Sequence, residues 1–196
     1  MKLFLAALLG ALAMFVWEFV AHMFTPLGEA GIRYLPKPEV VSSSLQSAIG
    51  DKAGMYMFPT GGVTDDSSKE EKTKAMERMM EEMKTKPSGL LVYKPAGTEF
   101  NFGKCLAVQF LTDFVKALLA AWLLTQTRLI TFGKRVGFVA VVGVIAAITT
   151  TIPHWNWYGF NGTFTMSNVF MDIVGFFFAG LAIAAVLKTV PPRASA

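Results

Sequence analysis

Four long apolar runs constrain the fold of this chain more than any other feature of its sequence. They occupy roughly residues 3–23, 105–124, 136–152 and 167–187, and 53 % of all residues are hydrophobic. Each run is close to the ~20 residues that an α-helix needs to cross ~30 Å of hydrocarbon. The third run is the shortest, and we expect it to end at Pro153. The pattern therefore predicts four membrane-spanning helices.

Most of the charged residues lie in one segment, residues 24–103, between the first two runs. This segment holds ten basic and eleven acidic residues, so its net charge is about −1 and does not indicate nucleic-acid or anionic-lipid binding. Its turn and cap residues predict a helix from Pro38 to a stop at Gly50 and then two strands, at residues 55–58 and 90–93. Between the strands they predict a charged helix that ends near Lys86.

Ser67 and Glu70 have the spacing of a capping box, which predicts the start of the charged helix after the flexible turn at residues 61–68. Because two short strands are marginally stable in water, we expect this cap to pack against the helix bundle or another subunit. The predicted fold class is an all-α transmembrane four-helix bundle with a small α+β extracytoplasmic cap inserted between helices 1 and 2. The predicted boundaries are 1–23 for transmembrane helix 1, 24–103 for the cap, 104–190 for transmembrane helices 2–4 and 191–196 for a cytoplasmic tail.

The basic residues predict the orientation, since cytoplasmic loops retain Lys and Arg. The loop between the second and third runs contains Arg128, Lys134 and Arg135 and no acidic residue, and the tail contains Lys188 and Arg193. The opposite loop, residues 154–166, has no Lys, Arg, Asp or Glu and is rich in aromatic residues, as in an exported interfacial belt. Both termini are therefore predicted to be cytoplasmic and residues 24–103 periplasmic, in a bacterial inner membrane.

The first run also resembles a cleaved signal peptide, because Lys2 precedes it and Ala11-Leu12-Ala13 has the form of a cleavage site. The apolar run continues ten residues beyond that site, which favours a retained helix. Cys105 is the single cysteine, so an intrachain disulfide and a dithiol relay are excluded.

The charged helix of the cap is rich in methionine. Met76, Met79, Met80 and Met83 are spaced to share one helical face. Thioethers are ligands for Cu(I), so these residues form a possible extracytoplasmic copper site. An apolar stripe opposite Glu and Lys is typical of any amphipathic helix, and the spacing favours packing over copper binding.

Ionisable residues inside the apolar runs are the most informative candidates for a site, because a buried charge costs about 2.5–3.5 kcal/mol on insertion scales. Residues three or four positions apart share a helical face in each of three runs. The predicted intramembrane polar cluster comprises Glu18, His22, Gln109, Asp113, Lys116, Asn168 and Asp172. Counted from the exported ends, Glu18 and Asp172 lie about 9 Å deep, Asp113 about 13 Å and Lys116 about 18 Å, so these groups can meet in the outer half of one bundle.

Three carboxylates in this cluster face one ammonium, that of Lys116, with which Asp113 can pair. A proton or a divalent cation must offset the excess negative charge, which is the basis for a proton or cation pathway. A structural network that hydrogen-bonds the helices together is the alternative, and we favour it. His154, beside Pro153, can close the cluster from above. A bis-His haem on His22 and His154 is disfavoured because the chain has two histidines in all and one lies in an aromatic loop.

Three segments carry a resemblance to known proteins: residues 22–32 (HMFTPLGEAGI), 89–93 (GLLVY) and 153–160 (PHWNWYGF). They resemble a group of small uncharacterised bacterial four-helix integral membrane proteins with no assigned activity. The resemblance extends over most of the chain and implies four spans. It implies no activity, so no functional residue is carried over from it.

No G-x-S-x-G turn, phosphate-binding glycine loop or CxxC pair occurs in the sequence. We therefore expect a non-enzymatic accessory or scaffold component of a membrane assembly, without a cofactor. Its expected partners are the lipid bilayer and either further copies of the chain or the subunits of a larger complex. A small proton or cation channel or transporter that uses the intramembrane carboxylates is the first alternative, and copper binding by the cap is the second.

Overall fold

The computed structural model describes residues 1–188, so the predicted tail at residues 191–196 lies outside the described part. The chain forms two compact units, one made of residues 1–33 with the chain from Asn101 onward and the other of Tyr34–Phe100. The elements in order are α1 (Lys2–Phe24), α2 (Pro38–Ile49), β1 (Gly54–Phe58), α3 (Lys69–Met83), β2 (Gly89–Tyr93), α4 (Phe102–Thr125), α5 (Phe132–Tyr158) and α6 (Gly162–Val186).

Helices α1, α4, α5 and α6 form the first unit, and each is long and apolar enough to cross a membrane. The prediction of four long apolar helices is therefore confirmed. Helix α1 packs against α4 and α6, and α6 packs against α5. Small residues make these contacts close: a Cβ on Gly10 would lie 3.0 Å from Ile183 and 3.2 Å from Ala117. Alanines of α1, α4 and α6 are the main constituents of the buried core.

Helix α5 does not end at Pro153, which corrects the sequence prediction. It continues to Tyr158 with the proline inside it. A proline removes one N–H donor from a helix, but the residues after it can still form the helical backbone hydrogen bonds. The helix ends instead at Gly159, whose left-handed conformation (φ 71°, ψ 25°) lets its N–H bond the carbonyl oxygen of His154.

The segment between the third and fourth spans was predicted as a loop over residues 154–166, but only residues 159–161 connect α5 to α6. The side chain of Asn161 accepts hydrogen bonds from the N–H groups of Thr163 and Phe164 and so caps α6. Gly31 packs beside this cap: its φ is +80°, and a Cβ there would lie 2.6 Å from the backbone nitrogen of Phe164.

The second unit contains the predicted pair of helices and pair of strands. Strands β1 and β2 are antiparallel, with Gly54 opposite Tyr93 and Phe58 opposite Gly89. The hydroxyl of Tyr93 donates to Gly50 O at 2.9 Å and lies 3.0 Å from Gln46 Oε1, so it joins the sheet to the end of α2. Gly50 ends α2 as the sequence predicts.

The capping box of α3 is one residue later than predicted. Ser68, not Ser67, is the N-cap, and Glu71, not Glu70, returns the reciprocal hydrogen bond to the Ser68 backbone. The hydroxyl of Ser67 instead accepts from the backbone nitrogen of Thr64 and so belongs to the preceding turn. Ser67 with Glu70 and Ser68 with Glu71 both have the S-x-x-E spacing. Because the hydroxyl of Ser67 is already used in the turn, Ser68 caps the helix.

Candidate functional site

Polar side chains of α1 and α4 meet at the half of the bundle where α1 ends and α4 begins. Gln109 donates one hydrogen bond to Glu18 Oε2 at 2.5 Å and another to Asp113 Oδ1 at 3.1 Å. The ammonium of Lys116 lies 3.2 Å from Asp113 Oδ1 and 3.9 Å from Glu18 Oε1. These four residues form a connected network between the two helices, which we call the carboxylate network.

The orientation of the Gln109 amide follows from its neighbours. Both of its partners are carboxylates, which accept hydrogen bonds when ionised, so the NH₂ group must face them. Both N–H bonds of the amide are therefore used, and its Oε1 remains an acceptor. The amide consequently links two like charges, which repel each other less because both bond the same donor group.

Asp113 is the most deeply buried member of the network, with no exposed surface. Its Oδ1 receives Gln109 and Lys116, whereas its Oδ2 meets no hydrogen-bond donor among the described residues. A buried oxygen without a donor is unfavourable by about 1–3 kcal/mol, more for a charged group. Asp113 is therefore the member of the network that keeps an unfilled acceptor position.

The other predicted members of the cluster are arranged differently. Asp172 of α6 interacts electrostatically with Lys116 and Asp113. Its carboxylate has no hydrogen-bond partner among residues 1–188. Asn168 donates to the backbone oxygen of Phe164 on its own helix. His154 stacks on the ring of Phe160, with centroids 5.3 Å apart, and no contact joins it to the network in the described chain, contrary to the expected closure from above.

His22 lies one turn beyond Glu18 on α1, and its Nδ1 is 2.8 Å from the backbone oxygen of Glu18. Since a carbonyl oxygen only accepts, Nδ1 must donate, and Nε2 of the neutral ring is left as an acceptor. His22 is exposed and lines a pocket with Glu18 and Gln109. His22 therefore lies where the pocket meets the carboxylate network, and it bonds the backbone of Glu18 instead of a side chain of the network.

This pocket, of about 280 Å³, lies between α1 and α4, and we call it the α1–α4 pocket. Apart from Glu18, His22 and Gln109, its walls are apolar or aromatic, with Cys105 at the side. They are formed by Phe15, Phe19, Met23, Phe102, Cys105 and Leu106. Glu18 and Gln109 therefore connect an open pocket to the buried Asp113.

On the other side of Lys116 the bundle is apolar. Residues 117–124 of α4 have no charged or hydrogen-bonding side chain other than the indole of Trp122, and these eight residues rise about 12 Å. Met14, Val139 and Ile183 fill the interior together with the alanines. The carboxylate network is thus reached from one end of the bundle, and an apolar core separates it from the other.

The methionines of α3 are less buried than the packing prediction requires. Met76, Met80 and Met83 expose 57 %, 53 % and 40 % of their surface. Met79 is half-buried and lines a small pocket with Met57 and Met76. The helical face is therefore present as predicted, but most of its thioethers face solvent within this unit.

Two polar side chains whose contacts sequence reasoning missed, Trp17 and Arg135, join segments of the bundle. Trp17 donates from Nε1 to the backbone oxygen of Met171 at 2.9 Å, next to Asp172. Arg135, counted as a loop charge in the sequence, is buried. It donates to the backbone oxygen of Ile130, just before α5, and to that of Ala184, near the end of α6.

Comparison of the chain with protein-family models, curated proteins and solved structures finds no match.

Proposed function

We propose that this chain is a multi-pass bacterial inner-membrane protein that acts as a non-enzymatic accessory or scaffold component of a membrane assembly. In this proposal both termini are cytoplasmic, the cap is periplasmic, and the partners are further copies of the chain or subunits of a larger complex. Four helices of sufficient length and apolarity support membrane insertion.

The apolar core beyond Lys116 is the observation that favours a scaffold over a channel. A conducting path needs polar groups or water along its whole length, because an ion in hydrocarbon is strongly destabilised. The carboxylate network stops at Lys116, and the interior beyond it is filled by Met14, Val139 and alanine side chains. A network confined to one end is suited to fixing α1 against α4.

A groove on the outside of α1 and α6 supports the existence of a partner. It measures about 690 Å³ and is lined by apolar residues and Trp17. The small Ala13 and Ala182 lie within it, and small residues allow a further helix to approach closely. We therefore place the contact with the assembly at this groove.

Purification in mild detergent with mass measurement tests the scaffold proposal. We expect a particle larger than one chain, either an oligomer or a complex with a co-purifying subunit. Ala182→Trp fills the groove and should reduce the particle to a single chain. Val141→Trp, on the exposed face of α5, is the matched control and should leave the mass unchanged. A single chain at every protein concentration, with no co-purifying subunit, would contradict the proposal.

The unsatisfied Oδ2 of Asp113 favours a second candidate, a small proton or cation pathway. Reconstituted in liposomes, such a protein would give pH-dependent flux that is lost in Glu18→Gln and Asp172→Asn but not in Glu29→Gln, which alters an exposed carboxylate. We expect no flux above empty liposomes. Flux with this pattern of variants would replace the scaffold proposal.

A further inference from the structure

We propose that the α1–α4 pocket binds a small amphiphilic ammonium, either a free alkylamine or the amino headgroup of a lipid. The cation would pair with Glu18, and its apolar part would lie against the phenylalanines. This binding site is separate from the scaffold contact, which lies on the outside of α1 and α6.

The polar atoms of the pocket determine the charge of its ligand. Both N–H bonds of Gln109 are used on Glu18 and Asp113, so the amide offers its Oε1 oxygen. His22 uses Nδ1 on the Glu18 backbone and offers Nε2. With the carboxylate of Glu18, these three acceptor groups belong to residues that line the pocket, and its lining contains no Lys or Arg. An ammonium has three donors and no acceptor, which matches this set.

The charge balance behind the pocket supports the same ligand. Glu18, Asp113 and Asp172 share the single ammonium of Lys116. Lys116 is nearer to Asp113 than to Glu18, at 3.2 Å against 3.9 Å, so Glu18 is the less compensated carboxylate of the two. The unbonded Oδ2 of the fully buried Asp113 adds further negative potential. A cation next to Glu18 would be stabilised by all of these groups.

The walls of the pocket determine the rest of the ligand. Phe15, Phe19 and Phe102 surround the acceptors, and aromatic faces attract cations as well as methylene groups. A volume of about 280 Å³ is near the lower limit for small-molecule sites, which suits a short alkyl chain. A hydrated metal ion would gain nothing from these apolar walls, whereas an alkylammonium would bury both of its parts.

Cys105 provides a direct readout, because it is exposed, lines the pocket and is the single cysteine of the chain. In detergent without amino groups, hexylammonium should slow the alkylation of Cys105 by a maleimide in a saturable way. Hexanol and hexanoate, which have the same chain length without the positive charge, should not protect it.

Glu18→Gln should weaken protection by hexylammonium about tenfold or more, as expected for the loss of a charge-assisted hydrogen bond. Its alkylation rate without ligand reports whether the pocket is still formed. Glu29→Gln is the matched control and should retain full protection. A second variant, Phe19→Ala, keeps the network intact and should weaken protection by removing an aromatic wall.

Varying the lipid composition of the vesicles distinguishes the two sources of the ammonium, a free amine and a lipid headgroup. In vesicles of phosphatidylglycerol alone Cys105 should react freely, and protection on adding phosphatidylethanolamine would identify the lipid headgroup as the ligand. Protection by hexylammonium but not by phosphatidylethanolamine would identify a free amine. The proposal is overturned if neither protects Cys105, or if hexanol protects it as well as hexylammonium, or if Glu18→Gln retains full protection.

Discussion

The carboxylate network is held together along one face of α4, where the ammonium of Lys116 lies 3.2 Å from Asp113 Oδ1, the pair that the spacing predicts. Gln109, Asp113 and Lys116 recur at four and three residues, and this places them on one face of α4. The spacing gives no information on Trp17 and Arg135, since each bonds a backbone oxygen of another segment. Backbone acceptors have no sequence signature, so tertiary contacts of this kind need the structure.

At the residue scale, Lys116 and Asp113 are expected to compensate each other. Lys116→Met leaves the buried carboxylate of Asp113 without its cation and should lower the free energy of unfolding more than the double change of Lys116→Met with Asp113→Asn. The coupling energy should be about 0.5–3 kcal/mol. Thermal unfolding in detergent measures it, with Lys104→Met at the exposed start of α4 as the control. Additive losses would show that the pair is independent.

Arg135 and Lys134 are neighbours with different surroundings, which allows a matched comparison. Arg135→Gln should lower the free energy of unfolding by about 1.5–3 kcal/mol, because the carbonyl oxygens of Ile130 and Ala184 lose a charged donor. Lys134→Gln, at an exposed position, should have an effect below about 0.5 kcal/mol. Chemical unfolding in detergent followed by Trp fluorescence distinguishes them, and equal effects would contradict the assigned contacts.

At the scale of elements, hydropathy predicted the four long helices because each run is apolar over most of its length. The ends were less predictable. The end of α5 depends on the left-handed Gly159 and not on Pro153, and the start of α3 depends on which of two serines is already used in a turn. Local hydrogen-bond competition of this kind moves a boundary without changing the element.

Two glycines of α5 test how closely it packs on α6. A Cβ on Gly143 would lie 2.4 Å from the Cβ of Phe176, whereas a Cβ on Gly137 meets nothing within 4 Å. Gly143→Ala should therefore destabilise the protein by about 1–3 kcal/mol. Gly137→Ala should stabilise it by up to about 1 kcal/mol through helix propensity alone. Thermal unfolding of the two variants should shift in opposite directions, and a shared sign would contradict the packing.

The corrected capping box of α3 gives a second test at this scale. Ser68→Ala should destabilise the first turn by about 1 kcal/mol, whereas Ser67→Ala should leave it nearly unchanged. Hydrogen exchange of the amides near Glu71 measures this difference. If Ser67→Ala destabilised the turn more than Ser68→Ala, the capping box expected from the sequence, Ser67 with Glu70, would be the correct one.

Glu71 adds a pH dependence to the same turn. The Ser68 backbone N–H that bonds its carboxylate holds the pKa of Glu71 below its ordinary value of 4.5. The stabilisation of the folded turn by this hydrogen bond is therefore fully present above pH 4.5, the ordinary pKa, and is lost as the pH falls through the lower folded-state pKa of Glu71. The protection factors of the amides in this turn, which correct for the intrinsic pH dependence of exchange, should fall over that range, and Glu71→Gln should remove the change.

At the scale of the whole molecule, the proposed topology can be tested by labelling. In a Cys105→Ser background, Ser88→Cys in the cap should react with an impermeant maleimide added to intact cells with a permeable outer membrane. Gln126→Cys, between α4 and α5, should react only after the inner membrane is opened. The expected orientation rests on the basic residues of this loop, of which Arg128 and Lys134 are exposed and Arg135 is buried. External labelling of Gln126→Cys would reverse the orientation.

The hydrogen bond between Glu18 and Gln109 joins residues 91 positions apart, and this separation sets an order of events during synthesis. At about 5–20 residues per second, the ribosome adds Gln109 some 5–20 s after Glu18. Helices α5 and α6 can pair as soon as they emerge, because three residues connect them. Helix α1 must instead wait with an unpaired carboxyl group, so a nascent chain that stalls before α4 presents an apolar helix with an unpartnered Glu18 to the insertion and quality-control machinery.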